Sequence, residues 1–214
     1  MFELYVVTDR KASGGRSESE TAELAYAGGA DAVQLRMKDS TPEEMLEQAM
    51  IIKNISDRYM RLFIVNNNVD IAILSDADGV HLGQSDMPMN EARELIGEDK
   101  LIGITVHNVD EAVKAEAEGA DYVSIGSIFS TAVKADAVQN LGLDAVFLIK
   151  QAVDIPVIAI GGINRGNIQD VIRAGADGVA VVSAAVSRDD IPKAVHELRN
   201  LVLKVRYDMK NTLR

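Results

Sequence analysis

A seven-residue motif recurs four times along the chain, and its spacing constrains the fold more than any other feature. The copies GADAVQL, DADGVHL, GADYVSI and GADGVAV begin at Gly29, Asp76, Gly119 and Gly175. Each predicts the end of a helix, a tight turn and a buried strand, because glycine suits the left-handed position just past a helix. The copies lie roughly 40 to 60 residues apart, more than the ~30 residues of one strand–helix–strand unit. Each gap should therefore hold one further strand.

Four more apolar segments supply the missing strands. They are residues 2–8, 62–66, 101–106 and 155–160. Helical patterns lie between the strands; one begins at Thr41, where Pro42 and Glu44 complete a capping box. Eight alternating strands and helices predict a parallel sheet, and their regularity favours a closed (β/α)8 TIM barrel. We expect an α/β protein with one domain over residues 1–214 and the motif on strands 2, 4, 6 and 8.

Composition excludes several classes of function. The chain has no cysteine, which excludes disulfides, thiolate metal sites and a cysteine nucleophile. Its net charge of −11 argues against nucleic-acid or anionic-membrane binding, since both need clustered positive charge. We see no secretory leader, and no apolar run approaches the ~20 residues that span a bilayer. We expect a cytoplasmic protein without nucleic-acid or membrane partners, and a homo-oligomer is compatible with the sequence.

Strand 2 carries an unusual set of polar side chains. In AVQLRMK, residues 32–38, Gln34, Arg36 and Lys38 alternate with apolar residues. Side chains two apart on a strand are separated by roughly 6.5–7 Å, enough to span a diphosphate. Arginine binds oxyanions through a fork of hydrogen bonds and lysine acts as a point charge. The alternative is that both cations simply leave the strand into solvent.

Strands 3 to 5 also end in polar residues, and a barrel of this kind has its site at these ends. The residues are Asn66 and Asn67 after strand 3, Asp86 after strand 4, and Thr105 and His107 at strand 5. The asparagines could bind a ligand, and the carboxylate suits Mg²⁺, which prefers oxygen donors. Helix capping explains the asparagines more simply than ligand binding does, and it explains the aspartate equally well. A lone histidine is more often structural than catalytic.

The last three strands predict a phosphate site. The long loop after strand 6 offers Thr131 and Lys134, although a loop lysine is usually solvated. Gly161 and Gly162 follow strand 7 and let the backbone approach a ligand, and Ser183 follows strand 8. Loops after strands 7 and 8 are the usual phosphate site of these barrels. One cationic and one backbone-lined anion site suit two phosphorylated reactants. The loops 9–19 and 130–140 are those expected to move.

These residues together resemble the thiamine phosphate synthase family and its relative, the thiazole tautomerase. The resemblance covers essentially the whole chain and rests on YVVTDR, GGADAVQLRMK, FIVNNNVDIA, DADGVHLGQSD, GADYVSIGSIFST and IPVIAIGGI. It implies a barrel that joins hydroxymethylpyrimidine diphosphate to a thiazole phosphate with Mg²⁺ as cofactor, releasing pyrophosphate. The implied reaction is dissociative: the diphosphate leaves first and the thiazole nitrogen then attacks the pyrimidine-methyl cation.

The resemblance also implies roles for individual residues. The diphosphate would be held by Arg36, Lys38, Asn66 and Lys134, of which the three cations stabilise the leaving group. The pyrimidine would be oriented by Gln34 and Thr105, and Mg²⁺ would be bound by Asp86 together with Asn67. The thiazole phosphate would be held by Thr131, Gly162 and the backbone of Val182 and Ser183.

Three positions depart from the family pattern. Asn67 stands where the family usually has aspartate, Val133 where it usually has threonine, and Thr105 where it often has serine. The change at Asn67 removes a charge from the implied metal site and favours the tautomerase, in which His107 could act as acid and base. The retained cations favour the synthase, because a tautomerase has no diphosphate to bind. A non-catalytic barrel that binds a phosphorylated ligand is the third hypothesis.

Overall fold

The chain folds into a closed eight-stranded parallel barrel, which confirms the predicted (β/α)8 TIM barrel. The structure is a computed structural model that describes residues 3–131 and 140–212. Each strand pairs in parallel with the next, and the last pairs with the first. The strands are Leu4–Val7 (β1), Ala32–Leu35 (β2), Leu62–Asn66 (β3), Gly79–Leu82 (β4), Leu101–Val106 (β5), Tyr122–Ile125 (β6), Val157–Ile160 (β7) and Gly178–Val181 (β8).

Helices surround the barrel and bury their apolar faces against it. They are Glu18–Ala27 (α1), Pro42–Tyr59 (α2), Val69–Leu74 (α3), Met89–Ile96 (α4), Val109–Ala117 (α5), Gly142–Ala152 (α6), Ile168–Arg173 (α7), Ser183–Val186 (α8) and Ile191–Thr212 (α9). The capping box predicted at Thr41 and Glu44 is present. None of the described helices is both long and apolar enough to cross a membrane.

The recurring motif has a structural reason that lies at the N-terminal end of the barrel. Its third residue is an aspartate that accepts a backbone N–H from the start of a neighbouring odd-numbered strand. The acceptors and donors are Asp31 with Glu3 and Leu4, Asp78 with Phe63, Asp121 with Ile102, and Asp177 with Val157, at 2.7 to 3.2 Å. The motif therefore ties each even strand to an odd one, which explains why it appears on every second strand.

A cation from a helix or loop completes each of these four junctions. The pairs are Arg61 with Asp31, Lys53 with Asp78, Arg93 with Asp121, and Lys150 with Asp177, at 2.6 to 3.2 Å. Since every junction joins a strand to a strand and also to an outer element, this end of the barrel is built for stability. The opposite end, where the strands finish, is left for the site.

The barrel interior is apolar at its base and contains the aromatic side chains of two tyrosines. Tyr5 and Tyr122 are almost fully buried and pack edge to face, with ring centroids 6.4 Å apart. Gly103 makes this possible, because a Cβ atom at that position would lie 2.0 Å from the Tyr122 ring. Both hydroxyl groups belong to the polar network described below.

Candidate functional site

A cavity of about 550 Å³ opens at the C-terminal ends of the strands. It brings together every predicted site residue that the structure describes. These are Gln34, Arg36, Lys38, Asn66, Asn67, Asp86, Thr105, Thr131, Gly162, Val182 and Ser183. The predicted Lys134, like Val133, lies outside the described residues. The cations and the strand 7–8 segments therefore face one shared space.

Arg36 and Lys38 reach the cavity by a different route from the predicted one. Strand β2 ends at Leu35, so both cations lie in the following loop, and a spacing argument based on a strand is wrong for them. The loop begins here because the Arg36 N–H donates to the side-chain oxygen of Thr8, at 3.0 Å, instead of extending the ladder. Gln34 alone of the three is on the strand and points into the barrel.

Arg36 is held by a carboxylate from the loop after β1. Its Nη1 donates to Oδ2 of Asp9 at 2.8 Å, and both side chains are about seven-eighths buried. The other oxygen of Asp9 accepts the Ala12 N–H at 2.9 Å. The ion pair leaves Arg36 lining the cavity and uses one of its five N–H donors.

The asparagines after β3 have separate tasks. Asn68 caps α3 by accepting the Ile71 N–H at 2.9 Å, so capping does not explain Asn66 or Asn67. Asn67 takes a left-handed conformation with φ of 65° and donates its N–H to the carbonyl of His81. This turn places both of the earlier asparagines at the cavity wall.

Asp86 does not cap a helix either. Its Oδ2 accepts the Gly83 N–H at 2.6 Å, and α4 begins after Pro88 without a side-chain cap. Within residues 3–131 and 140–212, no group of three or more acidic or histidine side chains is placed to hold a metal. Asp86, whose Oδ2 is occupied by Gly83, and Asn67 both line the cavity and carry oxygen atoms of the kind that bind metals. This sparse oxygen set fits Mg²⁺, which usually keeps waters and uses one or two carboxylates with substrate phosphates.

A chain of polar side chains crosses the floor of the cavity. Gln34 Nε2 donates to the Tyr5 hydroxyl at 2.7 Å, and that hydroxyl lies 3.3 Å from the hydroxyl of Tyr122. The Tyr122 hydroxyl lies 3.0 Å from His81 Nδ1, and His81 Nε2 lies 2.9 Å from Thr105 Oγ1. The two predicted pyrimidine-orienting residues are thus the ends of one network.

Sequence reasoning missed the three central members of that network. Tyr5, His81 and Tyr122 occupy positions on β1, β4 and β6 that are buried inside the barrel. Period-two alternation along DADGVHL and GADYVSI was the available signal, because it places His81 and Tyr122 on the inward face beside Gln34. Burial raises the pKa of both tyrosines well above the ordinary range, so the phenols stay protonated.

His107 lies at the cavity wall rather than in the floor. Its Nδ1 lies 2.9 Å from Glu111 Oε2, and its backbone N–H donates to the same oxygen at 2.8 Å. Glu111 also pairs with Asn108, the cap of α5. The histidine is therefore oriented by the start of a helix.

The two glycines after β7 are required by a close contact within the protein. A Cβ atom on Gly161 would lie 2.5 Å from Ser127 Cβ, and one on Gly162 would lie 2.7 Å from Phe129 Cβ. Both residues have positive φ, of 100° and 65°. The glycines let the loops after β6 and β7 pack together at the cavity edge. The first N–H groups of α8, beginning at Ser183, lie beside them and lack partners within that helix.

The fold and the cavity define a class: a TIM barrel that combines cations on one side of its mouth with backbone donors on the other, as suits phosphorylated ligands. A family model described as thiamine monophosphate synthase matches residues 4–185. The chain belongs to that family, as the sequence resemblance predicted.

Individual relatives agree with this assignment. The chain is 50% identical to a thiamine-phosphate synthase from Chloroflexus aurantiacus, with 94% of this chain and 93% of that protein covered. It is 47% identical to one from Methanoculleus marisnigri, with 94% and 95% covered. The solved structure of a thiamine phosphate pyrophosphorylase from Pyrococcus furiosus superposes with a TM-score of 0.86 at 41% identity, covering 95% of this chain and 96% of that one.

Proposed function

We propose that this protein is a thiamine phosphate synthase, a transferase in thiamine biosynthesis. It joins hydroxymethylpyrimidine diphosphate to a thiazole phosphate and releases pyrophosphate. The observation that carries the proposal is that one cavity contains three kinds of lining. These are a cationic rim with Arg36 and Lys38, a polar floor between Gln34 and Thr105, and an opposite rim with Gly162 and Ser183. A ligand with one anion would need only one of the rims. We treat residues 1–214 as one domain that works in the cytoplasm on small phosphorylated substrates.

The cationic rim binds the diphosphate. Arg36 offers its remaining N–H groups, Lys38 a point charge and Asn66 an amide, all at the same wall of the cavity. These groups stabilise the negative charge that grows on the leaving diphosphate, and such electrostatic stabilisation is usually the largest single contribution to catalysis. Lys134 is the further cation that the resemblance implies for this role.

The opposite rim holds the thiazole phosphate. Thr131 supplies a hydroxyl, Gly162 supplies backbone, and Val182 and Ser183 supply the start of α8. Backbone N–H groups at a helix N-terminus bind phosphate well because they point at the ligand and are already ordered. Neutral donors are sufficient for the thiazole phosphate, because its charge does not change in the reaction. The cations lie on the other side, where negative charge grows on the leaving diphosphate.

Asp86 and Asn67 are the residues that would hold Mg²⁺, since both carry oxygen donors and line the same cavity as Arg36 and Lys38. When bound, the ion would neutralise negative charge on the departing diphosphate. The chain's own residues do the rest: the polar floor orients the pyrimidine, and the two rims align the partners. Alignment of two bound reactants removes much of the entropic barrier of a bimolecular step. No residue is asked to act as a general base.

The direct test mixes the purified protein with both substrates and Mg²⁺ and measures thiamine phosphate and pyrophosphate. We expect equal amounts of the two products. No product at high enzyme concentration would overturn the proposal. In that case, isomerisation of the thiazole phosphate without metal would support the tautomerase hypothesis, with His107 oriented by Glu111 as the acid and base. Tight ligand binding without either reaction would support a non-catalytic barrel.

A further inference from the structure

The donors and acceptors of the polar chain through the cavity floor favour one direction of hydrogen bonding, starting from Gln34. The amide nitrogen of Gln34, Nε2, is a hydrogen-bond donor and not an acceptor. At 2.7 Å it therefore donates to the Tyr5 hydroxyl oxygen. The Tyr5 hydroxyl can then donate to the Tyr122 oxygen, which lies 3.3 Å from the Tyr5 oxygen. The Tyr122 hydroxyl can in turn donate to His81 Nδ1, which lies 3.0 Å from the Tyr122 oxygen. In the reverse order the Tyr5 oxygen would accept from both Gln34 and Tyr122, and the Tyr5 hydroxyl would donate in neither contact. One continuous run of donors from Gln34 to His81 satisfies each contact.

This direction decides which nitrogen of His81 carries the proton. A neutral imidazole has one donor and one acceptor nitrogen. If Nδ1 accepts from Tyr122, the hydrogen is on Nε2, which donates to Thr105 Oγ1 at 2.9 Å. The Thr105 oxygen is then occupied as an acceptor, and its own hydrogen is directed to another partner. Thr105 lines the cavity, so that partner can be a ligand.

We infer that His81 is a positioning residue whose Nε2–H tautomer, set by Tyr122 and Tyr5, makes Thr105 a hydrogen-bond donor to the substrate. The inference rests on the proposed function, since it identifies the edge of the pyrimidine substrate that forms hydrogen bonds with Gln34 and Thr105. At the other end, the Gln34 amide faces Tyr5 with its nitrogen, which leaves its oxygen to accept from a ligand. The floor therefore offers one acceptor and one donor whose order is fixed by the barrel interior.

An aminopyrimidine fits this pattern. Its exocyclic amine donates to Gln34 Oε1, and the adjacent ring nitrogen accepts from Thr105. A 4-oxo pyrimidine carries the opposite pattern, with an acceptor where the amine was and an N–H in the ring. With this ligand, acceptor would face acceptor at Gln34 and donor would face donor at Thr105. A site with such unpaired buried groups binds the ligand far more weakly. The network would make the enzyme select amino over oxo pyrimidines without any charged residue touching the ring.

The first experiment measures the tautomer directly. Nitrogen-15 NMR of the imidazole groups distinguishes a protonated from an unprotonated ring nitrogen, and His81→Asn identifies the His81 signals among three histidines. We expect the hydrogen on Nε2 in the wild-type protein and a mixture of tautomers in Tyr122→Phe, which lacks the donor to Nδ1. A hydrogen on Nδ1 in the wild-type protein would overturn the inference.

The second experiment measures selectivity. The ratio of kcat/KM for the aminopyrimidine diphosphate to that for its 4-oxo analogue should fall by about tenfold in Tyr122→Phe and His81→Asn. KM should rise for the pyrimidine substrate but not for the thiazole phosphate, and His81→Gln, which can still donate to Thr105, should recover part of the ratio. An unchanged ratio in folded Tyr122→Phe would contradict the inference.

Tyr26→Phe is the matched control. Tyr26 is also buried, and its hydroxyl donates to the Leu62 carbonyl at 2.8 Å, away from the cavity. It should change stability without changing the ratio, and a ratio that falls equally in this variant would assign the effect to the barrel as a whole and overturn the inference. The NMR result does not depend on activity. An inactive protein with the Nε2–H tautomer would refute only the proposed function, and an active one with the Nδ1–H tautomer would refute only this inference.

Discussion

Arg36 Nη1 donates to Asp9 Oδ2 at 2.8 Å inside the cavity rim, and the second Asp9 oxygen holds the Ala12 N–H. One carboxylate therefore orders both a cation of the site and the loop after β1. In that loop, which the sequence predicts to move, the Ser13 N–H donates to the backbone carbonyl of Asp9 and the Gly15 N–H to that of Arg10. Asp9 also places a negative charge beside the groups proposed to bind a diphosphate.

Asp9→Asn tests which of these two effects dominates. A unit charge at ~7 Å acts with about 2 kcal/mol at an effective dielectric constant of 20. Orienting one long side chain contributes only ~0.5–1.5 kcal/mol. We therefore expect the variant to bind pyrophosphate about tenfold more tightly and to show stronger product inhibition. Titration calorimetry with pyrophosphate measures this, with Asp170→Asn on the surface as control; weaker binding would mean that orientation of Arg36 matters more.

Lys38→Ala tests whether the two rims are separate sites. Lys38 lies on the cationic side of the cavity, and a charged hydrogen bond of this kind is worth ~1.5–3 kcal/mol. Affinity for the pyrimidine diphosphate should fall about 10- to 100-fold, while affinity for the thiazole phosphate stays nearly unchanged. Equilibrium binding of each substrate alone is the measurement. An equal loss for both ligands would mean that they share one anion site.

Asn67→Asp should strengthen metal binding. The substitution restores the residue type that the family usually has, and aspartate tolerates the left-handed conformation found at Asn67. A second carboxylate in the cavity that Asp86 lines adds a charged oxygen donor of the kind that Mg²⁺ prefers. The Mg²⁺ concentration for half-maximal activity should fall severalfold. Asn68→Asp, one residue further on, is the matched control, because that side chain caps α3; an equal effect in both variants would indicate a general charge effect.

Asp121→Ala tests the structural role of the recurring motif. The carboxylate holds the Ile102 N–H at 2.7 Å and Arg93 Nη2 at 2.6 Å, so its loss leaves both groups without this partner. The free energy of unfolding should fall by ~1–3 kcal/mol. Asp170→Ala, which breaks an exposed pair with Arg173, should change it by less than about 1 kcal/mol. Urea denaturation compares the two, and equal losses would contradict a special role for the motif.

The barrel was predictable because its signals are local and repeated. The motif containing Asp31 and Asp121 marks every second strand, and apolar runs mark the others, so a strand count of eight follows from the sequence. The capping box at Thr41 was also predictable, because it involves residues three apart. The same short-range reasoning placed the site residues at strand ends.

The contacts within the site were not predictable, because they join residues far apart in the chain. Nothing near Arg36 indicates that Asp9 will hold it, and nothing near His81 indicates that Tyr122 will. The end of β2 at Leu35 depends on the side chain of Thr8, just after β1, which accepts the Arg36 N–H. The need for Gly161 depends on Ser127 in the loop after β6. Each of these contacts forms only when the closed barrel brings the two distant segments together.

Alkaline conditions should destabilise the barrel through its buried tyrosines. Burial raises the pKa of Tyr5, Tyr26 and Tyr122 above the value of about 10 for an unfolded chain. Above pH 10 the unfolded chain therefore releases protons that the folded protein keeps. The free energy of unfolding then falls as pH rises, by about 1.4 kcal/mol per pH unit for each such tyrosine, until the folded protein also ionises. Below pH 10 the contribution is fully present and does not vary with pH.

Tyr26→Phe isolates this effect from the titration of lysines in the same range. The variant removes one buried phenol at a distance from the cavity, so the slope of unfolding free energy against pH between 10 and 11 should be less steep by about 1 kcal/mol per unit, because the unfolded phenol is only half ionised at pH 10. Urea denaturation at several pH values gives the slope for both proteins. If the two slopes coincided, Tyr26 would ionise as readily in the folded barrel as in the unfolded chain, and burial would not be what keeps these phenols protonated.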